Sequence, residues 1–318
     1  MVDKDEYAIL AENLVKKYGE LIAVNDVSLK IKKGEIFAFL GPNGAGKTTT
    51  VEILEGIRDK DSGKAYVLGY DIDKRKDLEK IKRKIGTLPQ EFNTYENLTV
   101  TENLRFWSRM FVKNIPIEKL IELVGLEDKA KEKYKNLSGG LKRRLGIAIA
   151  LVNDPELIFL DEPTTGLDPR ARRETWGVIE GLQEQGKTIF LTSHYMEEAQ
   201  VLADMVAIIH KGKIMDIGSP TQLIDKYGGN NKIIIRCNSQ ETRDQIHKVL
   251  FEFGPMENEE GDIVLAAKKD VSISKVIDLL EDNEIFYTDI ITQRPTLEDV
   301  FLQLTGEKLH DRSQEMMA

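Results

Sequence analysis

The sequence predicts an α/β protein: a mainly parallel sheet covered by helices and built around a phosphate-binding loop, followed by a small α+β, ferredoxin-like domain. Three observations lead there. Gly41-Pro42-Asn43-Gly44-Ala45-Gly46-Lys47-Thr48 is a complete G-x-x-x-x-G-K-[ST] nucleotide loop. Apolar runs of strand length alternate with helical periodicities downstream of it. After the turn-rich stretch Lys226-Tyr227-Gly228-Gly229-Asn230-Asn231 the pattern restarts on a smaller scale.

The elements follow in order. Residues 7 to 40 alternate apolar and polar positions, as in Val27-Ser28-Leu29-Lys30-Ile31, which predicts antiparallel strands leading into the loop. Glu35 to Leu40 suits a buried strand, and Thr48 to Leu54 a helix whose N-terminus faces the loop. Between residues 92 and 153 the period is helical, most clearly over Glu102 to Phe111, Ile117 to Val124 and Asn136 to Val152. A strand at Glu156 to Leu160, a helix at Arg170 to Gln185, a strand at Thr188 to Thr192 and a helix at Met196 to Ala203 complete the parallel-sheet pattern. This divides the chain into a nucleotide-binding domain at 1–228, with a helical subdomain at 92–153, an accessory domain at 229–306 and a flexible tail at 307–318. In the accessory domain, Ile233 to Ile235 reads as a strand and 240–253 as a helix. A hairpin around Glu260-Gly261-Asp262 leads into Ile263 to Leu265, then a helix at Ser274 to Leu280 and a strand at Ile285 to Ile291. Thr296-Leu297-Glu298-Asp299 opens a capped helix with Leu297, Val300, Phe301 and Leu304 on one face.

Composition narrows the function classes. A formal net charge of −9 over 318 residues argues against broad binding to a nucleic-acid backbone. Cys237 is the only cysteine, so no internal disulfide forms and a reducing compartment is the natural setting. No apolar run approaches the roughly 20 residues of a membrane helix, and the acidic start at Met1 to Glu6 lacks the apolar stretch of a signal peptide. The expected location is the cytoplasm, or a membrane surface reached through a partner.

The residues of the loop are dictated by phosphate chemistry. Its glycines let successive backbone N–H groups converge on an anion, Lys47 directs a charge toward the β- and γ-phosphates, and Thr48 offers a hydroxyl to Mg²⁺. Leu157-Ile158-Phe159-Leu160-Asp161-Glu162 is an apolar strand ending in two acids. Asp161 is placed to hold Mg²⁺, and Glu162 to polarise the water that attacks a γ-phosphate. Ser138 reads as the N-cap of a second anion-facing helix start, where Gly139 and Gly140 leave backbone amides bare. Lys142-Arg143-Arg144, immediately after, reads as a solvated, salt-bridged helix face. His210, His247 and His310 have no partners at metal-ligand spacing.

Over residues 7 to 225 the sequence resembles the ATP-binding cassette (ABC) transporter ATPases. Gly41 to Thr48 is similar to Walker A, Leu157 to Glu162 to Walker B with its catalytic glutamate, and Leu137 to Gly140 to the signature motif. The resemblance implies a P-loop NTPase core with antiparallel β and helical subdomains, ATP and Mg²⁺ as ligands, and ATP contacts from Gly41 through Thr49. It further implies that Gln90 reaches Mg²⁺ and senses the membrane partner, that Asp168 belongs to the D-loop, and that His194 contacts the γ-phosphate. Tyr18 resembles the aromatic residue that stacks on adenine. Ser138, Gly139 and Gly140 are implied to face the ATP of an opposite protomer in a head-to-tail homodimer or heterodimer. The catalytic set is then Lys47, Gln90, Glu162 and His194, and the metal set Thr48, Gln90 and Asp161.

Leu141 departs from the glutamine that usually follows the signature; the substitution resembles the branch serving ABC-2-type exporters, and Arg294-Pro295-Thr296-Leu297-Glu298-Asp299-Val300-Phe301 resembles the ending of drug-export ATPases in that branch. The expectation is therefore the ATP-hydrolysing subunit of an exporter, with a separately encoded integral membrane permease as partner and no nucleic acid. Phe92 and Tyr95, within an aromatic segment that also holds Phe106, Trp107 and Met110, are expected to line a groove for a cytoplasmic helix of that permease. The alternative is a soluble cassette ATPase acting on ribosomes or DNA; such proteins usually carry two cassettes or a long coiled-coil insertion, and this chain shows one of each motif and no long heptad run. For the accessory domain, ligand binding, dimer support, contact with the membrane subunit and simple packing all stay open.

Overall fold

Two long strands, β1 (Tyr7–Tyr18) and β2 (Leu21–Lys32), pair as an antiparallel hairpin in a computed structural model that describes residues 6–258, 261–267 and 271–307. The next strand, β3 (Ile36–Leu40), is buried at all five positions, because it enters the middle of a second sheet. After the loop comes α1 (Lys47–Leu54), then β4 (Ser62–Val67) and β5 (Tyr70–Asp71), which extend the hairpin into an antiparallel sheet of order β2-β1-β4-β5.

Helix α2 (Arg75–Lys84) leads directly into β6 (Ile85–Leu88). The helical stretch that follows holds α3 (Val100–Ser108), α4 (Ile117–Leu123) and α5 (Gly139–Ala150). Thr99 and Glu102 cap α3 with a reciprocal box, which sets its start ahead of the predicted Glu102. The predicted helix from Asn136 begins instead at Gly139: Tyr134–Asn136 is a 3₁₀ turn, and Ser138, with extended backbone, accepts from the Leu141 N–H as N-cap. The chain then alternates through β7 (Leu157–Asp161), α6 (Pro169–Glu184), β8 (Thr188–Ser193), α7 (Met196–Leu202), β9 (Met205–His210) and β10 (Lys213–Gly218).

The second sheet has the order β10-β9-β3-β8-β7-β6, parallel except for its β10 edge. Phe37, Phe39 and Phe159 converge on Phe190, with ring centroids 5.5 to 5.7 Å apart. Register pairs Leu40 with Ser193, Asp161 with Thr192 and Leu88 with Leu160. The segments that leave these strands at Gly41, Pro89, Glu162 and His194 therefore emerge side by side at the carboxyl edge, where open α/β sheets hold their ligands.

The described residues fall into two compact units, one up to Pro220 and one from Thr221. The division precedes the turn at Lys226 to Asn231 because α8 (Pro220–Tyr227) begins at it. The second unit continues with β11 (Lys232–Arg236), α9 (Gln240–Val249), β12 (Met256–Glu257), β13 (Ile263–Ala266), α10 (Ile273–Asp282), β14 (Asp289–Gln293) and α11 (Leu297–Thr305). Its antiparallel sheet, ordered β12-β13-β11-β14, is ferredoxin-like and packs Ile233, Ile235, Ile263 and Leu265 against Ile246, Leu250, Val276 and Leu280. Two predicted bounds shift. The helix of 240–253 stops at Val249, with Phe251–Phe253 a 3₁₀ turn ended by Gly254 at φ 64°. The strand placed at Ile285 to Ile291 runs from Asp289 to Gln293, since Ile285 leaves the strand to plug the core and pairing with β11 starts at Arg236 and Asp289. Of the predicted hairpin, Glu260 lies outside the described residues, as do most of the predicted tail and His310.

Candidate active site

The nucleotide loop is shaped by neighbours distant in sequence. At Gly46 the backbone has φ 102°, and a Cβ would come within 2.2 Å of the Ala23 carbonyl on β2, so only glycine fits. No side chain caps α1, which leaves its first-turn N–H groups directed into the loop. Lys47 is buried; its Nζ donates to the carbonyls of Gly41 at 2.8 Å and Pro42 at 3.3 Å and lies 3.4 Å from Glu162 Oε1. Burial lowers its pKa, against the opposing pull of Glu162 and Asp161. Pro42 and Thr49 are half-buried and Asn43, Gly44 and Thr48 exposed, while Ala45 is buried beneath the loop.

Asp161 ends β7 between two hydroxyls. Thr192 Oγ1 donates to its Oδ1, and Thr48 Oγ1 stands 3.4 Å from Oδ2. A hydroxyl and a carboxylate oxygen at this spacing are hard donors of the kind Mg²⁺ takes. Glu162 then turns out of the strand in the left-handed region, φ 49°, its N–H bonded to Thr192 Oγ1 at 3.0 Å and to the Thr192 carbonyl at 3.2 Å.

The Glu162 carboxylate is the hub of the cluster. Oε2 accepts from Gln90 Nε2 and from Thr165 Oγ1, each at 3.1 Å. His194 Nδ1 sits 3.2 Å from the same oxygen, at ion-pair distance without hydrogen-bond alignment. Burial pushes this carboxyl up, but His194, Lys47 and Thr165 more than offset it and hold its pKa at about 2. A buried, ionised carboxylate beside a cation, a neutral amide and an imidazole can orient a water and accept its proton.

The structure thus brings Lys47, Thr48, Gln90, Asp161, Glu162 and His194 into one cluster. Three predicted sets stand apart from it. Tyr18 closes β1, 41% exposed, with the Lys16 and Arg58 cations 5.7 and 5.4 Å from its ring centre. Ser138 and Gly139 are exposed at the start of α5, and Gly140 abuts Ala171 so closely that a Cβ would meet it at 2.7 Å. Asp168 caps α6, accepting from the N–H groups of Arg170 and Ala171.

Sequence reasoning missed three residues. Thr192 was visible only as a strand residue, although a polar pair at the end of a buried strand, Thr192-Ser193, is a signal. Asn103, fully buried on α3, binds the carbonyls of Tyr95, Leu98 and Thr99 and accepts from Thr94, tying down the segment after Gln90. Arg143 corrects the reading of a solvated Lys142-Arg143-Arg144 face: its guanidinium points inward onto backbone carbonyls beside Gln90 and Glu162.

Comparison with known proteins bears on the family. The family model for ABC transporters matches residues 24–165. The linearmycin resistance ATP-binding protein LnrL of Bacillus subtilis (strain 168) is 39% identical over 95% of this chain and 99% of its own length. The Nod factor export ATP-binding protein I of Burkholderia orbicola (strain AU 1054) is 36% identical over 94% of this chain and 97% of its own. Among solved structures, the dimeric post-hydrolysis state of the ATP-binding cassette MJ0796, bound to ADP and Pi, superposes with a TM-score of 0.59 at 28% identity, covering 66% of this chain and 98% of that one. A P-loop at the carboxyl edge of this sheet, and relatives matched along nearly their whole length, place the chain in the ABC transporter family, as an ATP-binding subunit that hydrolyses ATP.

Proposed function

We propose that this chain drives an ABC-2-type exporter by binding ATP between two head-to-tail copies of its cassette and hydrolysing it at Glu162. The observation that carries the reading is the Glu162 carboxylate, ionised and held among Lys47, Gln90, Thr165 and His194 one residue beyond Asp161. Backbone N–H groups of the Gly41 to Thr49 loop, all but that of Pro42, which has none, receive the phosphates, and Lys47 exchanges the Gly41 and Pro42 carbonyls for phosphate oxygens. Glu162 orients the attacking water and takes its proton, Gln90 positions the same water, and His194 stabilises charge on the γ-phosphoryl group. Thr48, Asp161 and the Gln90 amide oxygen would hold Mg²⁺, which supplies neutralisation of phosphate charge when bound.

Tyr18 stacks on the adenine, and the exposed Ser138-Gly139 with Gly140 meets the ATP of the opposite protomer, next to its D-loop Asp168. Residues 1–228 carry this chemistry, and 229–306 form an accessory domain. The partner is a separately encoded membrane permease that holds the subunit at the cytoplasmic face. Among the described residues no helix is long and apolar enough to cross a membrane, and the named relatives serve resistance and export. Tyr95, 49% exposed, and Met110, 56% exposed, support the docking groove, whereas Phe92 is half-buried with its ring edge-on to Tyr134.

The test is Glu162→Gln in the full chain. ATP affinity is expected to stay within about threefold, hydrolysis to fall by about a hundredfold or more, and ATP to produce a dimer visible by light scattering. Unchanged turnover in this variant refutes the assignment.

A further inference from the structure

Arg143 carries more than the proposed function uses. Successive residues on a helix point about 100° apart, so the Lys142-Arg143-Arg144 run cannot share one face. Lys142 lies over the Tyr134 ring, 5.1 Å from its centre, and Arg144 binds the Val124 and Gly125 carbonyls and Glu174. Arg143 is left to point between them, toward the carboxyl edge of the sheet. There Nε donates to the Pro163 carbonyl at 2.9 Å, Nη1 to those of Pro89 at 3.1 Å and Gln90 at 3.0 Å, and Nη2 to those of Asp161 and Glu162, both at 2.6 Å. A guanidinium has five N–H donors, and here all five meet backbone carbonyls.

These carbonyls belong to the two segments that present Gln90 and Glu162, one leaving β6 and the other β7. Both need outside support. Glu162 sits in the left-handed region, where a residue with a side chain persists only when its surroundings hold it. Gln90 lies past the end of its strand, and its backbone is fixed on one side by Arg143. The planar fork spans both segments at once, which a lysine ammonium, a single point with three donors, cannot do. Helix α5 begins at Ser138-Gly139-Gly140, so the anchor and the signature ride on one rigid element.

We propose that Arg143 is a positioning residue that sets the backbone of Gln90 and Glu162 from the signature helix. Through it, any displacement that seats Ser138 on an ATP is delivered to the Glu162 turn of the same chain. Each nucleotide is therefore linked to the hydrolytic carboxylate of the other site in the dimer. This rests on the reading that Glu162 orients the attacking water.

The test compares Arg143→Lys and Arg143→Gln with Glu162→Gln and Lys142→Gln in the full chain, measuring ATPase rate against ATP concentration, binding of a fluorescent ATP analogue, and thermal melting. Both Arg143 variants are expected to lower kcat by at least about tenfold while KM and analogue affinity stay within about threefold, since a small misplacement of reacting groups acts on the chemical step. Lys142→Gln is expected to match the parent. Arg143→Lys keeps the charge and melts close to the parent, so its low kcat reports geometry rather than unfolding. Full kcat in Arg143→Lys overturns the proposal, as does parallel loss of melting temperature and nucleotide affinity in both variants, which marks a merely structural arginine. If Glu162→Gln keeps its turnover, the underlying reading fails instead; if it is inactive while Arg143→Lys and Arg143→Gln turn over normally, only the role of Arg143 fails.

Discussion

Glu55 offers a stability test of a buried carboxyl at the end of α1 away from the phosphate loop. It follows the last turn of α1, is 3% exposed, and accepts a 2.9 Å hydrogen bond from Thr87 Oγ1 on β6. Burial raises its pKa from 4.5 to about 7, with further upward pressure from Asp161 and Glu52 and only the Thr87 bond opposing. The folded state therefore binds this proton more tightly than the unfolded chain does. Its contribution is fully present below pH 4.5, declines as pH rises through about 7, and is gone above that. At about 1.4 kcal/mol per tenfold change in proton affinity, the whole decline is worth at most about 3 kcal/mol. Glu55→Gln removes the titration and keeps an amide able to bond Thr87. At pH 8 the variant is expected to be more stable than the parent by about 1 to 3 kcal/mol, a gap that shrinks toward zero at pH 5. Denaturant unfolding at the two pH values, with calorimetry of the nucleotide-binding unit, measures it. A variant that is less stable at pH 8, or a gap independent of pH, refutes the reasoning.

Two further perturbations test separate contacts. Thr192→Val removes the hydroxyl that donates to Asp161 and accepts from the Glu162 N–H, so kcat is expected to fall about ten- to a hundredfold with little change in ATP affinity, and Thr192→Ser to recover most of it; parental turnover in the valine variant would contradict the assigned role. Asp154, at φ 53°, bridges Lys113 and Lys187 at 2.6 Å each, and those hydrogen bonds hold its carboxyl at about 2. The stabilisation is present above the ordinary value of 3.8 and lost as pH falls toward 2. Because Lys113 is largely exposed, Asp154→Asn, which tolerates the same backbone, is expected to cost only about 1 kcal/mol near neutral pH, less in high salt; thermal melts that show a salt-independent loss argue against the ion pair.

Much of the candidate site was legible because its chemistry is local. Gly41 to Thr48 must combine bare amides, an ammonium and a hydroxyl within one turn, and Leu157 to Glu162 must end a buried strand in acids, so each is recognisable from consecutive residues. Strand and helix types followed from period for the same reason. Bounds were less legible: the start of α5 depends on Ser138 acting as a cap, and β14 begins where Arg236 finds Asp289 across the sheet. Arg143 was misread because adjacent cations on a helix look alike until the packing of the helix decides which one faces inward.

By itself, then, the sequence determined that this chain carries a P-loop on an α/β scaffold with acids at a strand end and an imidazole beyond the next strand, since side-chain chemistry and periodicity are properties of short segments. Only the tertiary structure decided that Gln90 and His194, drawn from two other strand ends, converge on the Glu162 carboxylate, and that Arg143, on the helix capped by Ser138, donates to the backbone carbonyls of Gln90 and Glu162. Those facts depend on sheet order and helix docking, which are set by contacts between residues tens of positions apart.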